Sequence, residues 1–182
     1  IATVNQKVLS LLVKFPDKEF YERQIARKIG IAYGSANRAV NELYSTGTVK
    51  RRQEGKMFFY SADVSNPIII EFKKLVNILL MELLIEDLKN ISSRIVLYGS
   101  CAQGMDTSKS DLDLFIVSNN MKKVLKAVND FRFPRGFEDI RIQLVIKSPI
   151  ELLQVAGTEQ AFIDQVEQGI TLWEKAANES RV

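Results

Sequence analysis

Two short segments of the sequence combine residue types that bind charged ligands. Gly99 and Ser100 follow an apolar run, and Asp111 and Asp113 lie at the start of another. In an extended strand the two aspartates share one face, about 7 Å apart, where their charges repel unless a cation lies between them. Such oxygen ligands suit Mg²⁺, which usually completes its shell with water and phosphate oxygens. Because Gly99 has no Cβ and Ser100 has a hydroxyl donor, the pair suits a phosphate.

The composition restricts the other kinds of chemistry. The 182 residues contain no histidine, which excludes Ser-His-Asp and Cys-His catalytic groups and His-ligated zinc sites. Cys101 is the single cysteine, which excludes an internal disulfide and a multi-cysteine metal site, so we expect a cytoplasmic protein. No base lies near Cys101 in the sequence, and we predict a packing residue rather than a nucleophile.

Strands and a short helix must position these residues. The run Arg94–Tyr98 predicts a buried strand that leads into Gly99 and a short helical turn, and residues 110–117 predict a second strand. In that strand Leu112 and Leu114 point away from the face that carries the aspartates. A third strand is predicted over residues 139–146, followed by a helix from Ile150.

A strand, Gly-Ser, a short helix and an Asp-x-Asp strand together resemble the nucleotidyltransferase superfamily that includes DNA polymerase β. The similarity covers roughly residues 92–175 and is strongest to the minimal branch of that superfamily. Residues 159–174 resemble the closing helix and strand of that branch. The resemblance implies a mixed β-sheet with flanking helices. It also implies an activity in which the α-phosphorus of a nucleoside triphosphate is attacked and pyrophosphate leaves.

The resemblance assigns roles to individual residues. In the family, Gly-Ser holds the triphosphate, two aspartates bind two Mg²⁺ ions, and a third carboxylate on a later strand completes the site. The expected nucleotide-binding residues are Gly99, Ser100, Gly104 and Ser110, and the expected catalytic and metal-binding residues are Asp111 and Asp113.

The sequence departs from the family pattern at three positions. Cys101 and Gln103 stand where arginine is common, so part of the positive charge that binds phosphates is missing. Gln143 aligns with the third carboxylate, and its amide can coordinate a metal but cannot take a proton. Glu138 or Asp139 is the alternative carboxylate if the strand begins differently. Three interpretations follow: a slow transferase, a transferase with another carboxylate, or a nucleotide sensor without turnover.

The front third of the chain has a different charge. Residues 1–64 hold eleven Lys or Arg and six Asp or Glu, a net charge of +5, whereas residues 65–182 carry −2. This asymmetry is expected when one module binds a polyanion and the other does not. Helices are predicted over residues 5–15, 22–29 and 35–44, followed by a β-hairpin in which residues 49–52 and 57–60 flank Gly55. This outline resembles the winged helix-turn-helix family.

The third predicted helix and the hairpin supply the residues expected to bind double-stranded DNA. The helix buries Ala36 and Val40 on one face and presents polar side chains on the other, with Ser35 as the predicted N-cap. Asn and Arg can bond base edges, and the hairpin cations suit phosphates. The predicted DNA-binding residues are Ser35, Asn37, Arg38, Asn41, Arg51, Arg52 and Lys56. The alternative is a protein-docking module whose polar helix face is merely solvated.

The predicted organisation is an α+β chain in three parts. A winged helix-turn-helix covers residues 1–64, a long linking helix covers 65–91, and a minimal nucleotidyltransferase domain covers 92–182, with a frayed tail from Ala176. The linking helix carries too many charges to span a membrane, and its broad apolar stripe joins the two halves or also forms a homodimer interface.

Two functions are compatible with these features. The first is a DNA-binding enzyme that uses Mg²⁺ to transfer a nucleoside monophosphate, AMP from ATP, to a hydroxyl of a protein or small molecule. The resemblance also implies a toxin–antitoxin setting in which a partner protein is modified or neutralised. The second is a transcriptional regulator whose degenerate transferase domain only senses a nucleotide or a partner protein. The intact Gly99, Ser100 and aspartates favour the first, and Gln143 favours the second.

Overall fold

The chain forms two compact units. The computed structural model describes residues 3–154 and 158–176. The first unit comprises Ile1–Val76, Asp106–Lys109 and Phe133–Asp139, and the second comprises Asn77–Met105, Ser110–Arg132 and Ile140–Val182. Two short segments that lie late in the sequence therefore belong to the first unit. The predicted tail lies, apart from Ala176, outside the described residues.

The first unit contains three helices followed by a two-stranded antiparallel hairpin, as predicted from the sequence. Thr3 caps the first helix in a capping box with Gln6, and Gly30 ends the second in the left-handed conformation with φ of 69°. In the hairpin Val49 pairs with Ala62. The elements are α1 Val4–Lys14, α2 Glu22–Ile29, α3 Tyr33–Ser45, β1 Val49–Glu54 and β2 Met57–Ala62.

The start of α3 differs from the prediction. The helix begins at Tyr33, and its N-cap is Ala32, whose carbonyl accepts the Ala36 N–H at 3.0 Å. Ser35 therefore lies inside the first turn, and the prediction that it is the N-cap is wrong. The earlier start gives the N–H of the fully buried Ala36 a helical partner in the Ala32 carbonyl.

A buried charge cluster lies in the core of the first unit. Lys14 and Lys73 are both almost wholly buried, and both contact the buried Asp106 carboxylate. The Nζ–Oδ distances are 2.8 Å for Lys14 and 3.4 Å for Lys73, and Lys73 also donates to the Asp106 carbonyl. Nearby, Phe15 stacks on Phe137 with ring centroids 6.2 Å apart. These contacts hold residues from the segments 106–109 and 133–139 in this unit.

Two helices replace the single linking helix that the sequence predicts. The structure has α4 Pro67–Leu79 and α5 Glu82–Lys89. Between them Met81 is fully buried, its N–H donates to the Ile78 carbonyl at 3.0 Å, and its own carbonyl accepts from Ile85 at 2.9 Å. Met81 and Leu84 are fully buried around this break, whereas Leu75, Leu79 and Leu83 of the same apolar stripe are exposed. The prediction of one long helix is wrong.

The second unit is built on a four-stranded mixed sheet, which confirms the predicted sheet type. The strand order is β5-β4-β3-β6; β3 is antiparallel to both β4 and β6, and β4 is parallel to β5. The strands are β3 Arg94–Tyr98, β4 Leu112–Val117, β5 Ile142–Lys147 and β6 Ile170–Glu174. The helices are α6 Gly99–Gln103, α7 Met121–Asp130, α8 Pro149–Leu153 and α9 Thr158–Glu167. The sequence interpretation did not include α7, although Asn120 caps it by accepting the Lys123 N–H.

The sheet buries side chains on both faces. One face carries Val96, Tyr98, Phe115 and Val117, which pack with Val166 of α9 in one apolar cluster. Alternation places the fully buried Leu112 and Leu114 on the opposite face. Among the helices of the described residues, none is long and apolar enough to cross a membrane.

Candidate functional site

Gly99 brings the chain into close contact with Asp113. β3 ends at Tyr98, and Gly99 starts α6 with φ of +68°, in the left-handed region that favours glycine. A Cβ at this position would lie 2.5 Å from Oδ2 of Asp113. The backbone conformation favours glycine at this position, and a larger residue would also displace the Asp113 carboxylate.

The two aspartates lie where β4 begins. Asp111 directly precedes the strand, Asp113 is its second residue, and both are half-buried, whereas the intervening Leu112 is fully buried. Burial raises the pKa of Asp113, and the negative charge of Asp111 raises it further. The aspartates therefore share a face and interact, as the spacing predicts.

Tyr98 is a neighbour of this site that the sequence interpretation missed. It is the register partner of Asp113 across β3 and β4, and its ring makes an edge contact with Phe162 at 5.6 Å. Burial raises the pKa of Tyr98, and the Asp113 carboxylate adds to that rise. Its place directly before Gly99 at the end of an apolar strand is the signal that could have identified it.

Gln143 occupies the position beside Asp113 on the neighbouring strand. β4 and β5 run parallel, and Asp113 pairs with Gln143 in their register. Glu138 and Asp139 belong to the first unit, β5 begins only at Ile142, and the Glu138 carboxylate accepts the Gly136 N–H at 2.9 Å. Across residues 3–154 and 158–176 no group of three Asp, Glu, Cys or His side chains is arranged to hold a metal. Within the described residues no third carboxylate is therefore grouped with Asp111 and Asp113.

Side-chain and backbone bonds hold α6 against the start of β4. Cys101 is fully buried, and its thiol donates to the Asp111 carbonyl at 3.2 Å, which agrees with a packing role. Gly104 ends α6 with φ of 72°, and the next residue, Met105, donates its N–H to the Ser100 carbonyl at 2.9 Å. Gly104 thus has a structural role in this turn. Ser100 and Ser110 are both half-buried at the two ends of the connection.

The residues present fit one hard cation. Asp111 and Asp113 can supply carboxylate oxygens, and Gln143 can add an amide oxygen. Burial and, to a smaller extent, the charge of Asp111 raise the pKa of Asp113, and a bound cation would favour its ionised form. A donor set with two carboxylates is poorer in charge than the three-carboxylate set of the family pattern. It suits a single Mg²⁺ better than a pair.

In the first unit, the polar face of α3 carries the residues predicted to read DNA. Arg38 and Asn41 are exposed, and Asn37 and Ser35 are half-buried. The Asn41 amide donates to the Asn37 carbonyl at 2.9 Å and to its side-chain oxygen at 3.3 Å. The two asparagines therefore form one polar patch on the helix surface.

The hairpin cations are not equivalent. The Arg52 guanidinium donates to Glu19 at 2.7 Å and to Glu54 at 2.6 Å, which raises its pKa and lowers that of Glu19. Arg51 lies between two rings, 4.0 Å from the centroid of Tyr44 and 4.6 Å from that of Phe58. The prediction that Arg52 suits phosphates meets a competing ion pair, because its charge is already matched by two carboxylates.

Lys56 and Asn37 line the same cavity, which has a volume of about 530 Å³. Both were predicted to bind DNA from separate parts of the sequence, and the fold brings them together beside the exposed Tyr33 and two half-buried aromatic rings. The lining residues are Tyr21, Glu22, Arg23, Tyr33, Asn37, Lys56, Met57 and Phe58.

The second unit defines the class of protein. A mixed sheet with Gly99 at the end of one strand and an Asp-x-Asp pair at the start of the next is the arrangement of a nucleotidyltransferase-like domain. The family model described as polymerase beta, nucleotidyltransferase matches residues 81–178, which is more than half of the chain. The chain therefore belongs to the polymerase β nucleotidyltransferase family. No curated protein matches it.

Proposed function

We propose that the second unit transfers a nucleoside monophosphate, AMP from ATP, to a hydroxyl of a protein or small molecule with Mg²⁺ present. Family membership supports nucleotidyl transfer in general. The observation that carries the proposal is the close approach of Gly99 to Asp113, in which the glycine of the Gly-Ser pair lacks the Cβ that would collide with the carboxylate. Such an approach serves a site that needs a phosphate-binding turn and a metal-binding carboxylate in the same place.

Each residue has a separate task in the transfer. The Gly99 backbone amide and the Ser100 hydroxyl bind phosphate oxygens, and Asp111 and Asp113 would hold the cation, which would supply positive charge to the phosphates. The acceptor oxygen forms a bond to the α-phosphorus while the bond to the oxygen of the leaving pyrophosphate breaks. Gln143 cannot take a proton, so the proton of the acceptor hydroxyl passes to water. Turnover is therefore slow unless the acceptor hydroxyl is acidic.

The experiment is transfer of label from α-labelled ATP to candidate acceptors, with pyrophosphate measured in parallel. We expect one pyrophosphate per labelled acceptor, with both products lost in Asp111→Asn and Asp113→Asn. The matched control is Asp130→Asn, which removes the same charge from the last residue of α7. Equal pyrophosphate release by the wild type and Asp113→Asn would refute the proposal.

A second candidate, a nucleotide sensor without turnover, is favoured by Gln143. Its position beside Asp113 leaves the described part of the site with two carboxylates. A sensor binds Mg²⁺ and ATP but releases no pyrophosphate with any acceptor. Binding without turnover in the experiment above would therefore select the sensor over the transferase.

We further propose that the first unit is a winged helix-turn-helix that binds double-stranded DNA, so that the protein acts as a DNA-binding transferase or regulator. Its three helices and hairpin, its positive charge and the polar patch on α3 support this proposal. Asn37, Arg38 and Asn41 contact base edges, while Lys56 and Arg51 contact phosphates. Arg52 contributes less because Glu19 and Glu54 already bind it.

The hairpin allows an internal test of DNA binding. We expect affinity for duplex DNA to fall with salt, and Lys56→Ala to weaken binding and reduce the slope of log affinity against log salt by about one. Arg52→Ala, with the same loss of formal charge on the same hairpin, should change the slope less. Binding that does not depend on salt, or equal effects of the two variants, would contradict this assignment.

A further inference from the structure

Arg141 lies beside the aspartates although no motif includes it. Its carbonyl accepts the Leu112 N–H at 2.9 Å, and the parallel register pairs Leu112 with Ile142 and Asp113 with Gln143. One step back along this register places Arg141 next to Asp111. The two strands thus present two pairs of neighbours at their starts.

Burial indicates which face Arg141 occupies. Ile140 is buried and Ile142 is half-buried, whereas Arg141 and Gln143 are exposed. Alternating burial is typical of extended chain, in which residues two apart share a face. Arg141 and Gln143 therefore share the face that carries the aspartates.

The charge of Arg141 is available to a ligand. Within residues 3–154 and 158–176 its guanidinium forms no ion pair, whereas Arg94 binds Glu167 and Lys147 binds Glu159. Arg141 is an exposed cation next to Asp111 that bonds neither aspartate. Such a cation is suited to a ligand that a guanidinium and a metal ion can bind together. A polyphosphate is such a group, because guanidinium binds phosphate oxygens in pairs.

The site needs this charge because its other cations are missing. Cys101 is fully buried and Gln103 is neutral, so neither supplies the positive charge for which the family pattern uses arginine. Two carboxylates and one metal ion leave most of the charge of a nucleoside triphosphate unbalanced. Arg141, directly before the neighbouring strand β5, has the positive charge that α6 lacks.

We propose that Arg141 binds the phosphates of the nucleoside triphosphate at the Asp111 and Asp113 site. The proposal rests on the proposed function, because it specifies the substrate as a triphosphate and adds a phosphate-binding residue that directly precedes β5. It also gives the segment that leads into β5 a role in substrate binding that does not require a third carboxylate.

The experiment measures binding to the full chain by titration calorimetry, with Mg²⁺ and an ATP analogue that has a methylene group between the α- and β-phosphorus. We expect Arg141→Gln to weaken binding of this analogue by about 10- to 100-fold, the range for a charge-assisted hydrogen bond, and Arg141→Lys to lose less. Adenosine and AMP should lose little. Arg132→Gln is the control, since its guanidinium donates to the Asn129 and Phe131 carbonyls.

The outcomes separate this proposal from the one on which it rests. If the wild type binds no Mg²⁺ and ATP analogue, both proposals fail. If the wild type binds and Arg141→Gln binds equally well, only the role of Arg141 is overturned. Equal weakening for AMP and the triphosphate analogue, or a lower unfolding temperature in Arg141→Gln than in Arg132→Gln, would also overturn it, because the side chain would then support the fold or the nucleoside.

Discussion

Replacing Gly99 by alanine tests how the phosphate-binding turn and the metal-binding carboxylate are joined. An alanine must adopt φ of +68°, which costs about 1–2 kcal/mol for an L-residue. Its Cβ would also lie 2.5 Å from Oδ2 of Asp113, so the carboxylate must move by about 1 Å to reach ordinary contact. Displacements of about 1 Å at a catalytic group cost about 100-fold in rate. We expect Gly99→Ala to lose transfer by that factor while unfolding at only slightly lower urea.

Gly47 supplies the matched control. It has φ of +70°, and no atom lies within 4 Å of the Cβ that alanine would add. Gly47→Ala should therefore show the same backbone cost of about 1–2 kcal/mol in urea denaturation without any loss of transfer or of Mg²⁺ and ATP binding. If Gly99→Ala keeps wild-type affinity for Mg²⁺ and ATP, the inferred link between Gly99 and Asp113 is wrong.

Three further predictions concern stability. Gly169→Ala should lower the free energy of unfolding by about 1–3 kcal/mol in urea, because the new Cβ would meet the Leu97 carbonyl at 2.5 Å; an unchanged midpoint would contradict this. Asp106→Ala should lower the free energy of unfolding by about 3–5 kcal/mol in urea, because two buried lysines lose their carboxylate. A loss under about 1 kcal/mol would show that water replaces the carboxylate. The hydrogen bond from Arg94 lowers the pKa of Glu167 below its ordinary 4.5, so the stability that this ion pair contributes is complete above pH 4.5 and is lost as the pH falls through the lower folded value. Glu167→Gln should therefore reduce the loss of stability in acid. An unchanged dependence of stability on pH would exclude Glu167 as the cause of that loss.

The local features of the candidate site follow from the sequence. The alternation of Asp111, Leu112 and Asp113 places the carboxylates on one face, and Gly99 follows directly from the end of an apolar strand. The alignment of Gln143 with the third carboxylate agrees with its pairing to Asp113. The first two features depend on residues close together in the chain, whereas the position of Gln143 was expected from the family resemblance.

Features that depend on distant residues could not be predicted. The contact of Lys14 with Asp106 joins residues far apart in the sequence, and a buried lysine has no local signature. The ion pair with Glu19 likewise neutralises the positive charge of Arg52, which the sequence alone assigns to DNA binding. The place of Arg141 depends on the register between two strands, which local patterning does not determine.

The break after α4 is another feature that the sequence pattern does not determine. An apolar stripe predicts helix but not its continuity: α4 ends at Leu79, and the fully buried Met81 lies between the two helices. The three-helix and hairpin outline of the first unit was predictable because Gly30 and Gly55 mark its turns.

The most direct test of the central claim is a crystal structure of the full chain with Mg²⁺ and the methylene analogue of ATP. We predict one cation bound to oxygens of Asp111 and Asp113, with the triphosphate against Gly99 and Ser100. A triphosphate bound elsewhere on the protein, or a cation that avoids both aspartates at saturating nucleotide, would contradict the account.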